Sequence, residues 1–296
     1  MTSRLTRGFG SAAVLGALLG GCFAAQPAPE CQVAAGTPLY DTNNFATFFK
    51  KKSGTCAADV ALTFDEVGFQ RYQAPGTKDV RIAIRTANMG KALSGERFEV
   101  DRDASNDCSA YDEVGDCSMC VATGGASDNV CQAVDDPTPR VDPQDPDGKN
   151  ANALVALDLS PDAKGVCHTK AEATASESFR AESVSLVDGG TASFPAFTER
   201  YVWKNVNIVN TTSYPGTLFT ADVTYSLDGC TDEYSAEGFW PLVTCSDDLA
   251  CSPEANVDAG YAYGSGLNPA FQPRCDTALG VCVLGEGLSV SSLAGL

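Results

Sequence analysis

Three stretches hold side chains whose types and spacing could do chemistry. Cys117-Ser118-Met119-Cys120 sets two thiols at the separation of a redox dithiol or of half a zinc site, and Cys108 and Cys131 could complete a Cys₄ set. A redox pair needs a helix starting at the first thiol to stabilise its thiolate. Here the flanks are the acidic Glu113-Val114-Gly115-Asp116 and the non-periodic Val121 to Gly125. Structural disulfides are therefore the expectation. Asp142-Pro143-Gln144-Asp145-Pro146-Asp147-Gly148 approaches the alternating carboxylates and closing glycine of a calcium loop. Pro143 at the first ligand position and Leu154 at the twelfth reject an EF-hand. A looser calcium site on Asp142, Asp145 and Asp147, or around Asp101, Asp103 and Asp107, is kept beside a solvated acidic loop. His168 is the one histidine, so any Ser–His or Cys–His relay must use it. It adjoins Cys167 in a turn-like stretch and reads as a surface residue. Gly264-Ser265-Gly266 lacks the G-x-S-x-G of a nucleophile elbow. Carboxylate-pair hydrolysis has 38 acids to draw on, but no spacing singles out a pair. Trp203, Trp240, Tyr261 and Tyr263 could form an exposed glycan-binding cluster; core packing is the commoner fate of such rings.

The composition narrows the partners. Among 296 residues, 38 acids against 20 cations give a net charge of −18. Nucleic acid is disfavoured, because neutralising phosphates takes a basic surface. The 13 cysteines leave one thiol over in a fully paired protein.

The N-terminus accounts for it. Arg4 and Arg7 precede a short apolar run, Ala12 to Leu19, far below the roughly 20 residues of a membrane span. Leu19-Gly20-Gly21-Cys22 follows, and it resembles the lipobox of bacterial lipoproteins. The resemblance implies cleavage after residue 21 and acylation of Cys22. Phe23 stands where an aspartate commonly retains such proteins in the inner membrane, so the outer membrane is implied, on its periplasmic face or at the cell surface. Cleavage removes two of the 20 cations and none of the 38 acids, leaving a mature charge of −20. Twelve cysteines remain as disulfide candidates in an oxidising compartment: Cys31, Cys56, Cys108, Cys117, Cys120, Cys131, Cys167, Cys230, Cys245, Cys251, Cys275 and Cys282. Local grouping suggests pairing within Cys108 to Cys131 and within the C-terminal set, about six bridges in all, with connectivity open. The run from Cys245 to Cys282 resembles a small repeat of cysteine-rich secreted bacterial lipoproteins, which implies a structural or binding element.

Positioning these residues falls mainly to strands. Val80, Ile82 and Ile84 alternate with less apolar neighbours, as do Phe98 and Val100. Val155, Leu157 and Leu159 share a face, Val184 and Leu186 follow, and Val202, Val206 and Ile208 are read as one face. Phe219, Ala221, Val223, Tyr225 and Leu227 are apolar at five alternate positions. Period two means one face buried, and Gly, Pro, Asn and Asp clusters such as Asp228-Gly229 punctuate the runs. Phe45, Phe48 and Phe49 instead fall at helical spacing within 41–52, and 283–296 suggest an edge strand.

The expected fold is all-β: an antiparallel β-sandwich-like core with disulfide-stapled loops and at most one or two short helices. Residues 1–21 are a signal peptide and 22–38 a tether. Residues 39–227 form the β-rich domain, with an Asp/Cys-rich insertion at 101–150, and 228–296 a cysteine-rich C-terminal region. The expected role is binding or structural rather than enzymatic. It is exercised on a membrane through the lipid and on a glycan or envelope protein, with no cofactor beyond calcium. A carboxylate-dependent hydrolase and a calcium-stabilised adhesin-like protein are the alternatives.

Overall fold

The computed structural model describes residues 30–34, 44–94, 120–122, 131–133, 145, 148–185 and 191–296. The body comprises residues 31–296.

In chain order the body contains β1 (Phe45–Gly54), β2 (Phe64–Gln73), β3 (Val80–Thr86) and helix α1 (Ala87–Ser94). The short strands β4 (Cys120–Ala122), β5 (Cys131–Ala133), β6 (Ala153–Ala156) and β7 (Val166–His168) follow, then β8 (Ala173–Phe179), β9 (Glu182–Ser185) and β10 (Thr191–Phe194). Three long strands come next: β11 (Phe197–Asn210), β12 (Pro215–Leu227) and β13 (Cys230–Phe239). The hairpin β14 (Arg274–Asp276)–β15 (Val281–Val283) and helix α2 (Val290–Ala294) end the chain.

Nine strands form one antiparallel sheet in the order β6-β3-β2-β1-β13-β12-β11-β7, with β8 pairing the other stretch of β11. The sheet curls until its edges meet. Leu157 just after β6 bridges Thr169 just after β7, Lys170 N–H donates to Ala156 O at 2.9 Å, and Asp158 N–H to His168 O at 3.1 Å. Joining the edges removes the unpaired backbone that an open sheet exposes. All nine strands contribute to one interior cluster, so the fold is all-β and sandwich-like, its facing layers being parts of one curled sheet. Phe45, Phe69 and Phe219 meet edge to face at its centre, 4.8–5.3 Å apart, and Trp203 packs against Phe219. Each ring withdrawn from water contributes about 1.5–3 kcal/mol.

A second core lies on the other face of β1, β12 and β13. Ala46, Leu218 and Phe239 are covered there by Leu242, Leu267, Phe271, Val281 and Val290 of the C-terminal region.

Four sequence expectations change. Phe45–Gly54 is a strand, not a helix: Phe45 and Phe49 enter the interior while Ala46 and Phe48 meet the outer core, so both faces are buried and the period is hidden. In β11 the register slips between Lys204 and Asn207, with Asn205 at φ 49°. This bulge puts Tyr201 and Trp203 on the interior face with Val206 and Ile208, and Val202 on the opposite face. The boundary at 227/228 cuts the Asp228-Gly229 hairpin turn, so β13 belongs to the sheet and the added region starts after it. The C-terminus ends in a helix capped by Ser289, not an edge strand. The strand-like run at 98–100 and Leu186 lie outside the described residues.

Candidate functional site

The chemistry-bearing groups that the fold brings together are interior carboxylates. On β2, Asp65 continues the inward row of Val67 and Phe69; on β11, Glu199 continues that of Tyr201 and Trp203; on β8, Glu177 lies between Ala175 and Phe179. All three acids are buried. Glu177 stands directly opposite Glu199, and Tyr201 opposite Tyr225. The Tyr201 hydroxyl donates to Glu199 Oε1 at 2.9 Å, and that of Tyr225 to the same oxygen at 3.3 Å. Asp65 Oδ1 accepts from Glu66 N–H at 2.8 Å, while its Oδ2 has no hydrogen-bond partner.

Burial, reinforced by the charge of Glu199, pushes the Asp65 carboxyl up to about 8 against the pull of backbone N–H groups of Glu66 and Asn88. Burial also raises Glu199, opposed by its two tyrosine donors. Burial and the adjoining Glu199 raise both tyrosines. A protonated carboxyl near a carboxylate is the raw material of general acid–base catalysis. These acids, however, are packed among core rings. A recess of about 380 Å³ lies at the rim beside them, lined by Ser178, Phe179, Arg180, Ala196, Phe197, Thr198 and Asp228, none of them an interior acid.

Asp232 shows the opposite balance. It is fully buried, yet Lys51 Nζ lies 2.7 Å from Oδ2, Cys56 N–H donates to Oδ1 at 3.0 Å and the Tyr234 hydroxyl to Oδ2 at 2.9 Å. Burial pushes its pKa upward; these partners outweigh it and hold the carboxyl below its ordinary value. The network fastens the loop after β1 to β13, beside the disulfide Cys56–Cys230.

His168 extends from β7 with Nδ1 2.7 Å from Asn207 Oδ1 and Nε2 3.3 Å from Asp162 Oδ2. Burial lowers its pKa, but Asn207, Asp162 and the charge of Asp158 raise it further, so the protonated ring is favoured. Asp162 is itself lowered, first by the Val166 N–H it accepts. The neighbouring Cys167 is bridged to Cys31, so this is a turn-fastening ion pair rather than a relay with a thiol nucleophile.

Eight candidate cysteines form four bridges: Cys31–Cys167, Cys56–Cys230, Cys245–Cys275 and Cys251–Cys282. Local grouping holds for the last four residues and fails for Cys230, whose partner lies 174 positions away. Sulfurs of Cys245, Cys251 and Cys275 approach within 4.8 Å of one another. All three are in disulfides and offer no thiolate to a metal. Cys22, Cys108 and Cys117 lie outside the described residues; of Cys120 and Cys131 the backbone alone is described, across the β4–β5 hairpin. Of the calcium candidates, Asp145 is buried, its Oδ2 accepting from Asn150 N–H at 2.6 Å and its carbonyl from Gly148 N–H at 2.9 Å. It caps a turn. Asp142 and Asp147 lie outside the described residues. The aromatic candidates separate: Trp203 is core, Trp240 packs against the core, Tyr261 bonds Asp247 and Tyr263 is 86 % exposed.

The interior acids were missed in the sequence although a signal existed. Each occupies an inward position of an alternating row, where an apolar residue is the norm.

Among the described residues no helix is long and apolar enough to cross a membrane. The MlpA family model matches residues 43–241. A Myxococcus xanthus protein named "Putative lipoprotein MlpA" is 33 % identical over 123 residues, 42 % of this chain and 46 % of that protein, so the match spans about half of the relative's length. No solved structure matches. The matched region runs from just before β1 to just after β13, that is, through the whole curled sheet, and the chain belongs to the MlpA family of bacterial lipoproteins.

Proposed function

We propose that the protein is cleaved after residue 21, acylated on Cys22 and held at the outer membrane, where its β body acts as a binding or structural element of the envelope. The observation that carries this reading is the Leu19-Gly20-Gly21-Cys22 box ahead of a disulfide-stapled body in a lipoprotein family. Several acyl chains on one residue make attachment stable, each buried CH₂ adding about 0.8 kcal/mol. Disulfides suit an oxidising compartment. Because aromatic rings fill the sheet interior, a glycan or protein partner would be met at the loop ends, where the rim recess offers Phe197 beside Ser178, Thr198 and Asp228. The buried acids favour a structural role over a hydrolytic one, since they are buried beside core rings and none of them lines the rim recess.

Mass spectrometry of the mature protein tests the anchor. The expected mass starts at Cys22 and carries acyl groups. A chain beginning elsewhere, or an unmodified Cys22, refutes it. A binding screen against envelope glycans and extracts tests the partner class, with loss of a hit on Phe197→Ala expected.

A further inference from the structure

The first described residues of the body form a clasp. Cys31 is fully buried and bridged to Cys167 on β7. Its N–H donates to Leu159 O at 2.9 Å, and Ala34 N–H donates to Gly216 O at 2.9 Å. The Asn210 side-chain amide donates to Gln32 O. Gly216 has φ 74°, and a Cβ there would come within 2.5 Å of Gln32 O, so only glycine admits the segment so closely. The expected tether of 22–38 is therefore already held at residue 31.

We propose that this clasp sets the distance and orientation of the body on the membrane: it makes the lipid tether a short leash that leaves from one end of the curled sheet, so that the loops at that end face the bilayer and the opposite rim faces away. The inference rests on acylation of Cys22.

Nine residue steps separate Cys22 from Cys31. At 3.3–3.6 Å per residue they reach at most about 30 Å, whatever path they take. Without the clasp, the next described residue held by the body is Asn44, 22 steps from Cys22, and the reach to it would be about 75 Å. The clasp touches the β6–β7 loop at Leu159 and the β11–β12 turn at Asn210 and Gly216. Strand β11 runs from that turn back to Phe197, 14 residues, or about 45 Å at strand rise. The recess at Phe179, Phe197 and Asp228, the β8–β9 connection and the Asp228-Gly229 turn all lie at the far end of this strand. A mature charge of −20 works in the same direction, since an anionic lipid surface repels the body.

The test uses the full chain, exported and acylated, in vesicles of phosphatidylethanolamine and phosphatidylglycerol containing a headgroup acceptor dye. A donor dye is attached through p-azidophenylalanine replacing Thr212, beside the clasp, or Ala181, at the far rim; both positions are exposed. Energy transfer from position 212 should exceed that from 181 by about twofold or more, given the ~45 Å between the ends. The double variant Cys31→Ala, Cys167→Ala should shrink the difference. A flexible twelve-residue insertion between Ala25 and Gln26, which leaves the body and its disulfide intact, should do the same and guards against a folding defect in the double variant. Equal transfer from both positions in the intact protein overturns the proposal, as does a difference that the insertion leaves unchanged. A chain that floats with vesicles and carries acyl groups but shows equal transfer refutes the orientation alone. A chain that neither floats nor carries acyl groups refutes the anchor and the orientation with it.

Discussion

Two buried aspartates meet opposite fates. Asp65 accepts from Glu66 N–H at 2.8 Å and has an unpartnered Oδ2, so burial outweighs its backbone donors and pushes the carboxyl up to about 8. In the unfolded chain it titrates near 3.9. Between those values the unfolded state has lost a proton that the native state keeps, so raising the pH favours unfolding across the whole window from about 4 to 8. Asp65→Asn abolishes that titration. The variant should match the wild type near pH 4 and melt progressively higher than it toward pH 8, as scanning calorimetry at several pH values would show; parallel curves would refute the assignment. Asp232 has Lys51, a backbone N–H and a tyrosine hydroxyl, and its carboxyl is held low. Its contribution is present above pH 4 and is lost as the pH falls through the depressed native value. Lys51→Met removes the cation and leaves the charge buried, which should cost about 2 kcal/mol in urea unfolding at pH 7, Lys51 itself being partly solvated. The same substitution at Lys52, whose partner Asp222 is exposed, should cost well under about 1 kcal/mol. Neither aspartate stood out in the sequence, because a carboxylate has no period. What was legible was the row each interrupts: Asp65 with Val67 and Phe69, Asp232 with Tyr234 and Ala236. An acid in an apolar register position is a stronger signal than an acid near another acid.

At the scale of elements, legibility followed the number of buried faces. β12 packs Phe219, Ala221, Val223 and Tyr225 into the interior, and its alternation could be read directly. β1 is covered on both sides, so its apolar residues fall in consecutive positions and mimic a helical stripe. The phase change in β11 comes from a single left-handed residue, Asn205, which hydropathy does not register. The C-terminal layer was invisible as a layer because its contacts with β1, β12 and β13 join residues far apart in the chain. Gly238 lies directly opposite Phe219 on the neighbouring strand, and a Cβ there would come within 2.1 Å of the Phe219 ring. Gly238→Ala should therefore displace that ring from Phe45 and Phe69, lowering stability by about 1–3 kcal/mol and perturbing the aromatic signals in near-ultraviolet circular dichroism. The disulfides partition the structure. Replacing Cys245, Cys251, Cys275 and Cys282 by alanine removes both bridges of the outer layer and neither bridge of the sheet. Hydrogen exchange should then speed up across 242–296 while β11 and β12 stay protected; uniform loss of protection would show that the layer and the sheet fold as one unit.

The whole molecule carries its acidity as a distributed load. With 38 acids and 20 cations, one-to-one pairing leaves 18 carboxylates over, and several of the pairs that do form, such as Arg81–Asp79 and Lys204–Glu233, are exposed. Exposed pairs contribute about 0–1 kcal/mol each and are weakened by salt. The general repulsion among the surplus carboxylates is weakened too, and by more, because it sums over many pairs at ranges of about 10 Å or more. Moving from about 10 mM to about 0.5 M sodium chloride shortens the screening length from about 30 Å to about 4 Å. The repulsive sum should fall faster than the few attractive ones, and Lys51–Asp232, partly buried, should be little affected. The mature body should therefore melt higher in salt, by about 3–6 °C if the net gain is about 1–2 kcal/mol. Potassium chloride should act as sodium chloride does, since the effect is screening and not ion binding. A gain with calcium chloride beyond that at equal ionic strength would instead point to a bound cation, and the acidic stretch containing Asp142, Asp145 and Asp147 would be the first place to look. A melting temperature that falls with sodium chloride would mean that local ion pairs dominate the electrostatics, and the surplus charge would then have to be compensated by the fold in a way that the pairs among the described residues do not provide.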